Sequence, residues 1–498
     1  MRKRILTLFA FLAWAACFAL LPASAFAAGI GTGAEITASN AAYFGRYPQT
    51  LAGTSPPGGV SGVDYIQAAD NSSAGGGAQK YYSRDPIQWR VLQNSGGKLF
   101  LLSEKNLDAR PYNNAFAKVT WETCTIRAWL NNESGFLGSA FRAEERGAIA
   151  DTTVSNPDNP DFGTPGGNAT TDRIFFLSIQ EATNGTYFAD AAARIAVNTA
   201  YAATRNVVMR AADYWWLRSP GIRANEGYVA AQVTWYGNIY SRGNPMSLND
   251  VTSRPAFFLD LSSVLFTSDA SGANGKSSVS VGNLAVATAP TGDVKLTIED
   301  SSQTLTVGTS ARQQDVPTLS FPYSNATTGA GQYISCVLTD NNDNDRLKYY
   351  GRLTASATSA SANGNLSIPL AGVADGAYTL KIFSEKANGD NLTDFCSAPV
   401  AMTLTVSGGR GAVKIFGGTP DDGAPTESGG GCDAGAGIFA PAGTAVLLAG
   451  IIATRRTRKR KEKYFANVAS SKRDGQLSYI SADTASIEMR FKRGSEIK

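Results

Sequence analysis

Apolar and polar positions along the chain alternate, or recur at helical spacing, in a series of short segments. Gln88-Trp89-Arg90-Val91-Leu92 and Lys98-Leu99-Phe100-Leu101-Leu102-Ser103, separated by Asn94-Ser95-Gly96-Gly97, predict a β-hairpin with a glycine-bearing turn. From Trp121 to Leu130 the apolar positions leave little polar face, which predicts a helix capped by Thr120 and buried on most sides. Glu122 stands in its first turn, where the helix dipole favours an acid, and Arg127 then requires a carboxylate partner. A second helix is predicted over 139–150, a core strand over 173–178 and a short helix from Ile179 to Ala182. Tyr228 to Tyr236 and Asn238 to Ser241 form a further hairpin turned at Gly237, and Arg254 to Leu261 closes the sheet. Short strands and helices without βαβ alternation make residues 29–288 an α+β head domain.

Residues 292–407 read differently. Segments 294–298, 303–307, 333–339, 347–354, 365–370, 378–385 and 401–406 alternate in the manner of an all-β immunoglobulin-like sandwich. Asp375-Gly376-Ala377-Tyr378 has the look of a tyrosine corner, and Cys336 and Cys396 are positioned for a disulfide in an exported setting. Asp340 to Asp345 carries oxygen ligands at alternate places but lacks the glycine and glutamate of a calcium loop, and reads as a turn. Residues 408–428, rich in Gly, Pro, Asp and Thr, read as a flexible linker.

The two ends of the chain set its expected location. Met1-Arg2-Lys3-Arg4, the apolar run 5–20 and Ala25-Phe26-Ala27 have the plan of a secretory signal peptide, residues 1–27. Near the other end, Gly429-Gly430-Gly431-Cys432 precedes an uncharged apolar stretch, 434–454, followed by the basic block 455–461. That is the length of a single transmembrane helix with its stop-transfer charges. Residues 429–461 resemble the bacterial GlyGly-type C-terminal sorting signals, in particular the Synergist-type version with its Gly-Gly-Gly-Cys-(Asn/Asp)-Ala-Gly start. The resemblance implies a membrane sorting protease that cuts near the glycines, with Cys432 as its landmark. A plain stop-transfer anchor is the alternative. One departure is the polar tail 462–498, since such signals usually end soon after the basic cluster.

Charge and composition narrow the chemistry. Of the formal +4, Arg2 to Arg4 contribute +3 and the thirteen basic and five acidic residues of 455–498 contribute +8, which leaves −7 between them and argues against nucleic acid as a partner. The chain has no histidine, which removes the commonest general base and histidine metal sites. No cofactor and no metal is expected, because Cys124, Cys336 and Cys396 are too few for a structural zinc site.

Six of the seven tryptophans lie between residues 89 and 235. Trp89, Trp121, Arg127, Trp129, Trp215, Trp216, Arg218 and Arg254 are expected to pin loops to the core by buried indoles and arginine forks. Trp235, Tyr236, Asn238 and Tyr240, dense near a hairpin tip, are the candidates for stacking on a sugar ring or a peptide.

The boxes Tyr47 to Gln49, Trp89 to Leu92, Thr120 to Asn131, Trp215 to Gly221 and Arg254 to Ala256 resemble an uncharacterised family of bacterial surface domains. With that resemblance goes a looser similarity to C-type-lectin-like and sulfatase-modifying-factor folds. Formylglycine-generating catalysis uses a cysteine pair, and this domain has only Cys124; of the lectin calcium motifs, Leu248-Asn249-Asp250 matches half of one. The expectation is an exported, envelope-anchored protein that binds an extracellular glycan or protein without catalysis. The alternatives are a carboxylate-based enzyme acting on cell-wall or extracellular polymer through Glu122, Asp213, Glu226 or Asp260, and a structural envelope component.

Overall fold

The computed structural model describes residues 27–415 apart from 56–63, 73–74, 206–211, 223–227, 272–274, 309–312, 344–345 and 355–361. The signal peptide, the sorting signal with its apolar stretch 434–454, the tail 462–498 and Glu226 lie outside the described residues. Among the described residues no helix is long and apolar enough to cross a membrane.

The α+β class, and the lectin-like head that went with it, are corrected: 47% of the described residues are strand and 11% helix. Helices expected to be continuous are short and interrupted. Trp121–Thr123 is a single 3-10 turn, Cys124 is extended (φ −73°, ψ 151°), and the α-helix proper is Thr125–Asn131. The 139–150 region holds Phe136–Ala140 and Ala143–Ala148, separated by extended Phe141 and Arg142. Residues 173–178 are not a ladder strand; Phe175 makes one bridge, to Ala256. Strands are longer than expected where β-branched and aromatic residues recur. Ala41–Gly53 and Ala78–Ser95 pair antiparallel, and the predicted hairpin is the end of the latter with Lys98–Ser103.

Nor does a separate sandwich follow a head. One fifteen-stranded sheet runs from Ala256–Asp260 through Lys98–Ser103, Ala78–Ser95 and Ala41–Gly53 to Val294–Glu299, and on to Arg410–Ile415. Val294–Glu299 decides this: five of its six residues are buried, and it pairs in parallel with Ala41–Gly53 and antiparallel with Val264–Asp269. Asn283–Thr288 in turn pairs with Arg346–Thr354. A strand buried on both faces needs neighbours on both edges, and these come from both segments. A three-stranded sheet, Thr306–Val307, Thr318–Ser324 and Gly364–Pro369, shares an apolar core with the far strands. There the Tyr378 hydroxyl donates to the Ala374 carbonyl at 2.9 Å. Arg410–Ile415, expected as the start of the linker, is a strand paired with Val400–Ser407.

The expected disulfide is also corrected, since Cys336 and Cys396 are free thiols. They lie on opposite faces of the sheet: Cys336 packs into the core with Ile382, and Cys396, opposite Glu385, into a smaller one with Phe383. Burial raises the Cys336 thiol to about 12. Denaturing the protein without reductant is therefore expected to release both as titratable thiols, with neither reacting in the native state; recovery of fewer in a thiol assay would restore the disulfide.

Where the two segments meet, Lys276 is buried against Glu385 and Asp394, the latter at 2.5 Å. Lys295 reaches Asp394 at 2.8 Å, and the Ser335 and Tyr350 hydroxyls each donate to Glu385 at 2.7 Å.

Candidate functional site

The site is built on a five-stranded sheet in the order Ile239–Pro245, Val229–Val233, Trp215–Pro220, Thr252–Ser253, Asp108–Ala109. All six residues of Trp215–Pro220 are buried, as an inner strand with neighbours on both sides requires. Trp216 Nε1 donates to the Arg110 carbonyl, and Trp89 Nε1 to that of Phe44. Arg218 is fixed by Glu181 and by the Phe176 and Ser155 carbonyls. Arg127 finds a carboxylate in Asp172 (2.6 Å), which also accepts from Trp121 Nε1 at 2.9 Å. Trp129 is part-buried, with the Arg110 guanidinium 4.4 Å above its ring.

Among the described residues Arg254 donates its hydrogen bonds to carbonyls, those of Ser103, Arg194 and Glu104, with its guanidinium 5.0 Å from the Trp215 ring. Burial lowers its pKa to about 9. This arginine links the core to the hairpin tip. Its Nη1 and Trp215 Nε1 both donate to the Arg194 carbonyl (3.0 and 3.2 Å), and Arg194 Nε donates to the Gly237 carbonyl at 2.7 Å. Gly237 has φ +79°, and a Cβ there would lie 1.7 Å from the Ala191 carbonyl oxygen, so only glycine closes this turn against its support. Thr234 completes the loop: its N–H donates to the Asn238 carbonyl, and its hydroxyl accepts from the Asn238 N–H.

On this support the Trp235 and Tyr236 rings lie with centroids 3.5 Å apart and their planes tilted by 32°, and Tyr236 is 58% exposed. The exposed Asn238 flanks them. Tyr240 is placed differently: it lies along the return strand opposite Gln232, and among the described residues no ring contact joins it to the pair. The tip can therefore offer an aromatic face and an amide to a ligand, the pairing that suits a sugar ring or a peptide side chain.

The carboxylates considered for catalysis are dispersed. Glu122 accepts from Asn168 at 3.1 Å, Asp213 from the Tyr214 N–H at 2.8 Å, and Asp260 caps the 261–263 turn through Ser262. Sequence reasoning missed one surface feature, the stack of Phe116 (71% exposed) on Tyr228 (36%), with centroids 4.7 Å apart. Its only sequence signal is a lone phenylalanine in the otherwise polar and small run 113–118.

A family described as a domain of unknown function, DUF6273, matches residues 96–261, which includes the tryptophan box and the hairpin tip. Comparisons with curated proteins and with solved structures give no match.

Proposed function

We propose that this is an exported, envelope-anchored protein whose Trp235–Tyr236 tip holds an extracellular ligand, a glycan or a protein, without transforming it. The observation that carries this reading is an aromatic pair, Tyr236 exposed and Trp235 half-buried, held by a closed turn and tied through Arg194 to the core. A rigid aromatic contact loses little conformational entropy on binding, which favours its use for recognition. The signal-like segment 1–27 supports export, and the Gly429 to Cys432 start of the apolar segment supports sorting by a membrane protease. The resemblance of the tryptophan and arginine boxes to bacterial surface domains is in keeping with that location.

The test is a panel of glycans, peptidoglycan fragments and envelope proteins presented to the full-length protein in detergent. Tyr236→Ala is expected to weaken a saturable hit about tenfold or more, a loss of about 1.4 kcal/mol, with an unchanged melting temperature. Arg194→Met loosens the tip and is expected to weaken binding less. Wild-type affinity in a Trp235→Ala, Tyr236→Ala double variant would remove the assignment.

A further inference from the structure

We propose that a cleft of about 500 Å³ between Arg46, the two helices of 136–148 and the 388–395 loop binds an oxyanion carried by an extracellular polymer. The inference is independent of the hairpin tip. Although residues 5–454 carry a net charge of −7, this cleft is lined by four arginines, Arg46, Arg84, Arg142 and Arg146. Two of them are engaged: Arg84 with Asp64 (3.6 Å) and the Ser139 carbonyl, Arg146 with Glu133 (3.2 Å) and the Phe141 carbonyl. The other two keep donors in hand. Arg46 uses Nε for the Arg84 carbonyl, and the exposed Arg142 lies with its guanidinium 5.3 Å from the Phe395 ring and acts electrostatically on the buried Glu145; among the described residues neither arginine forms a salt bridge. A guanidinium with free terminal N–H groups meets phosphate, sulfate or carboxylate in a bidentate fork.

The floor is built to stay in place. Glu145 is buried and accepts from the Gly45 N–H (3.2 Å), the Arg142 N–H (2.9 Å) and the Thr393 hydroxyl (2.6 Å), so one carboxylate ties together the three segments that form the walls. Burial raises its pKa, while the three hydrogen bonds and the Arg142 guanidinium act to lower it. Gly45, at φ +71°, brings the strand against Phe141, where a Cβ would come within 2.6 Å of the ring. The volume suits one charged sugar residue or a phosphate with its ester group.

The test is titration calorimetry of the full-length protein in detergent with inorganic phosphate, polyphosphate and polygalacturonate, at low and high salt. Saturable binding that falls with salt is expected for at least one, and which one identifies the group. Arg46→Gln with Arg142→Gln is expected to reduce it at least tenfold, while Arg410→Gln, which removes a charge elsewhere on the surface, leaves it unchanged. Should the double variant melt early, the exposed Arg142→Gln alone carries the comparison. Absence of binding for all three anions, or equal loss with Arg410→Gln, would overturn the proposal.

Discussion

Replacing Lys276 by methionine is expected to lower folding stability by about 3–5 kcal/mol, the cost of stranding a buried charge. The side chain is 2% exposed, and its ammonium contacts Glu385, Asp394 and the Thr297 hydroxyl. With Lys295 the cluster holds two cations and two anions, so its charges balance; without Lys276 one buried negative charge is left over. Denaturant unfolding measures the effect, and a loss below about 1 kcal/mol would mean that the remaining charges are solvated. Pairing the change with Glu385→Gln is expected to recover part of the stability, because that removes the surplus charge.

The same cluster sets a pH window. Burial pushes the Asp394 carboxyl up, but Lys276 and Lys295 together outweigh it and hold its pKa below the ordinary value. Burial pulls the Lys276 ammonium down, and Asp394 and Glu385 more than reverse that. A depressed carboxylate stabilises above its unfolded pKa, about 3.9, and the contribution is lost as pH falls through the folded value. A raised lysine stabilises below about 10.4 and loses its contribution as pH rises through the folded value. Lys295 has the opposite sign, since burial and Lys276 lower it. The contribution of Lys276 and Asp394 is therefore fullest between about pH 4 and 10, and the Lys276→Met penalty is expected to shrink at either limit.

Trp215→Ala is the second large effect, about 3–5 kcal/mol for emptying the site of a fully buried indole. The ring packs beneath the Arg254 guanidinium, which has carbonyl acceptors but no carboxylate within its hydrogen bonds, so the substitution also strips an already costly buried charge of its aromatic face. Trp215→Phe is expected to cost less by keeping much of the volume. Because Trp215 and Arg254 both bond the Arg194 carbonyl, the alanine variant is further expected to weaken any ligand held at Tyr236, some 20 residues away in sequence. An alanine variant as stable as wild type in denaturant would contradict this account.

Much of the local structure could be read in advance. The glycine pair at 96–97 and the glycine at 237 mark the two hairpin turns, both with positive φ in the structure. Arg127 declared its need for a carboxylate by sitting on an apolar helix, and Asp172 supplies it from 45 residues away. The continuity of the helices could not be read, because Cys124 and Phe141 are extended for the sake of tertiary packing that helical periodicity does not encode. The hairpin tip was legible as a cluster of aromatic residues; its rigidity was not, because that comes from Ala191 and Arg194 on another segment.

Sequence by itself determined which stretches alternate, where glycine must turn the chain and, through the absence of histidine, that no imidazole serves as a general base. Tertiary structure alone decided that strands from both halves share one sheet, that Cys336 and Cys396 face opposite cores, that Tyr240 stands apart from the tip, and that four arginines line one cleft. The physical reason is common to all of these. Periodicity states which side of an element is apolar, whereas the identity of what covers it depends on contacts such as Val294 with Ala42 or Thr393 with Glu145, between residues about 250 positions apart.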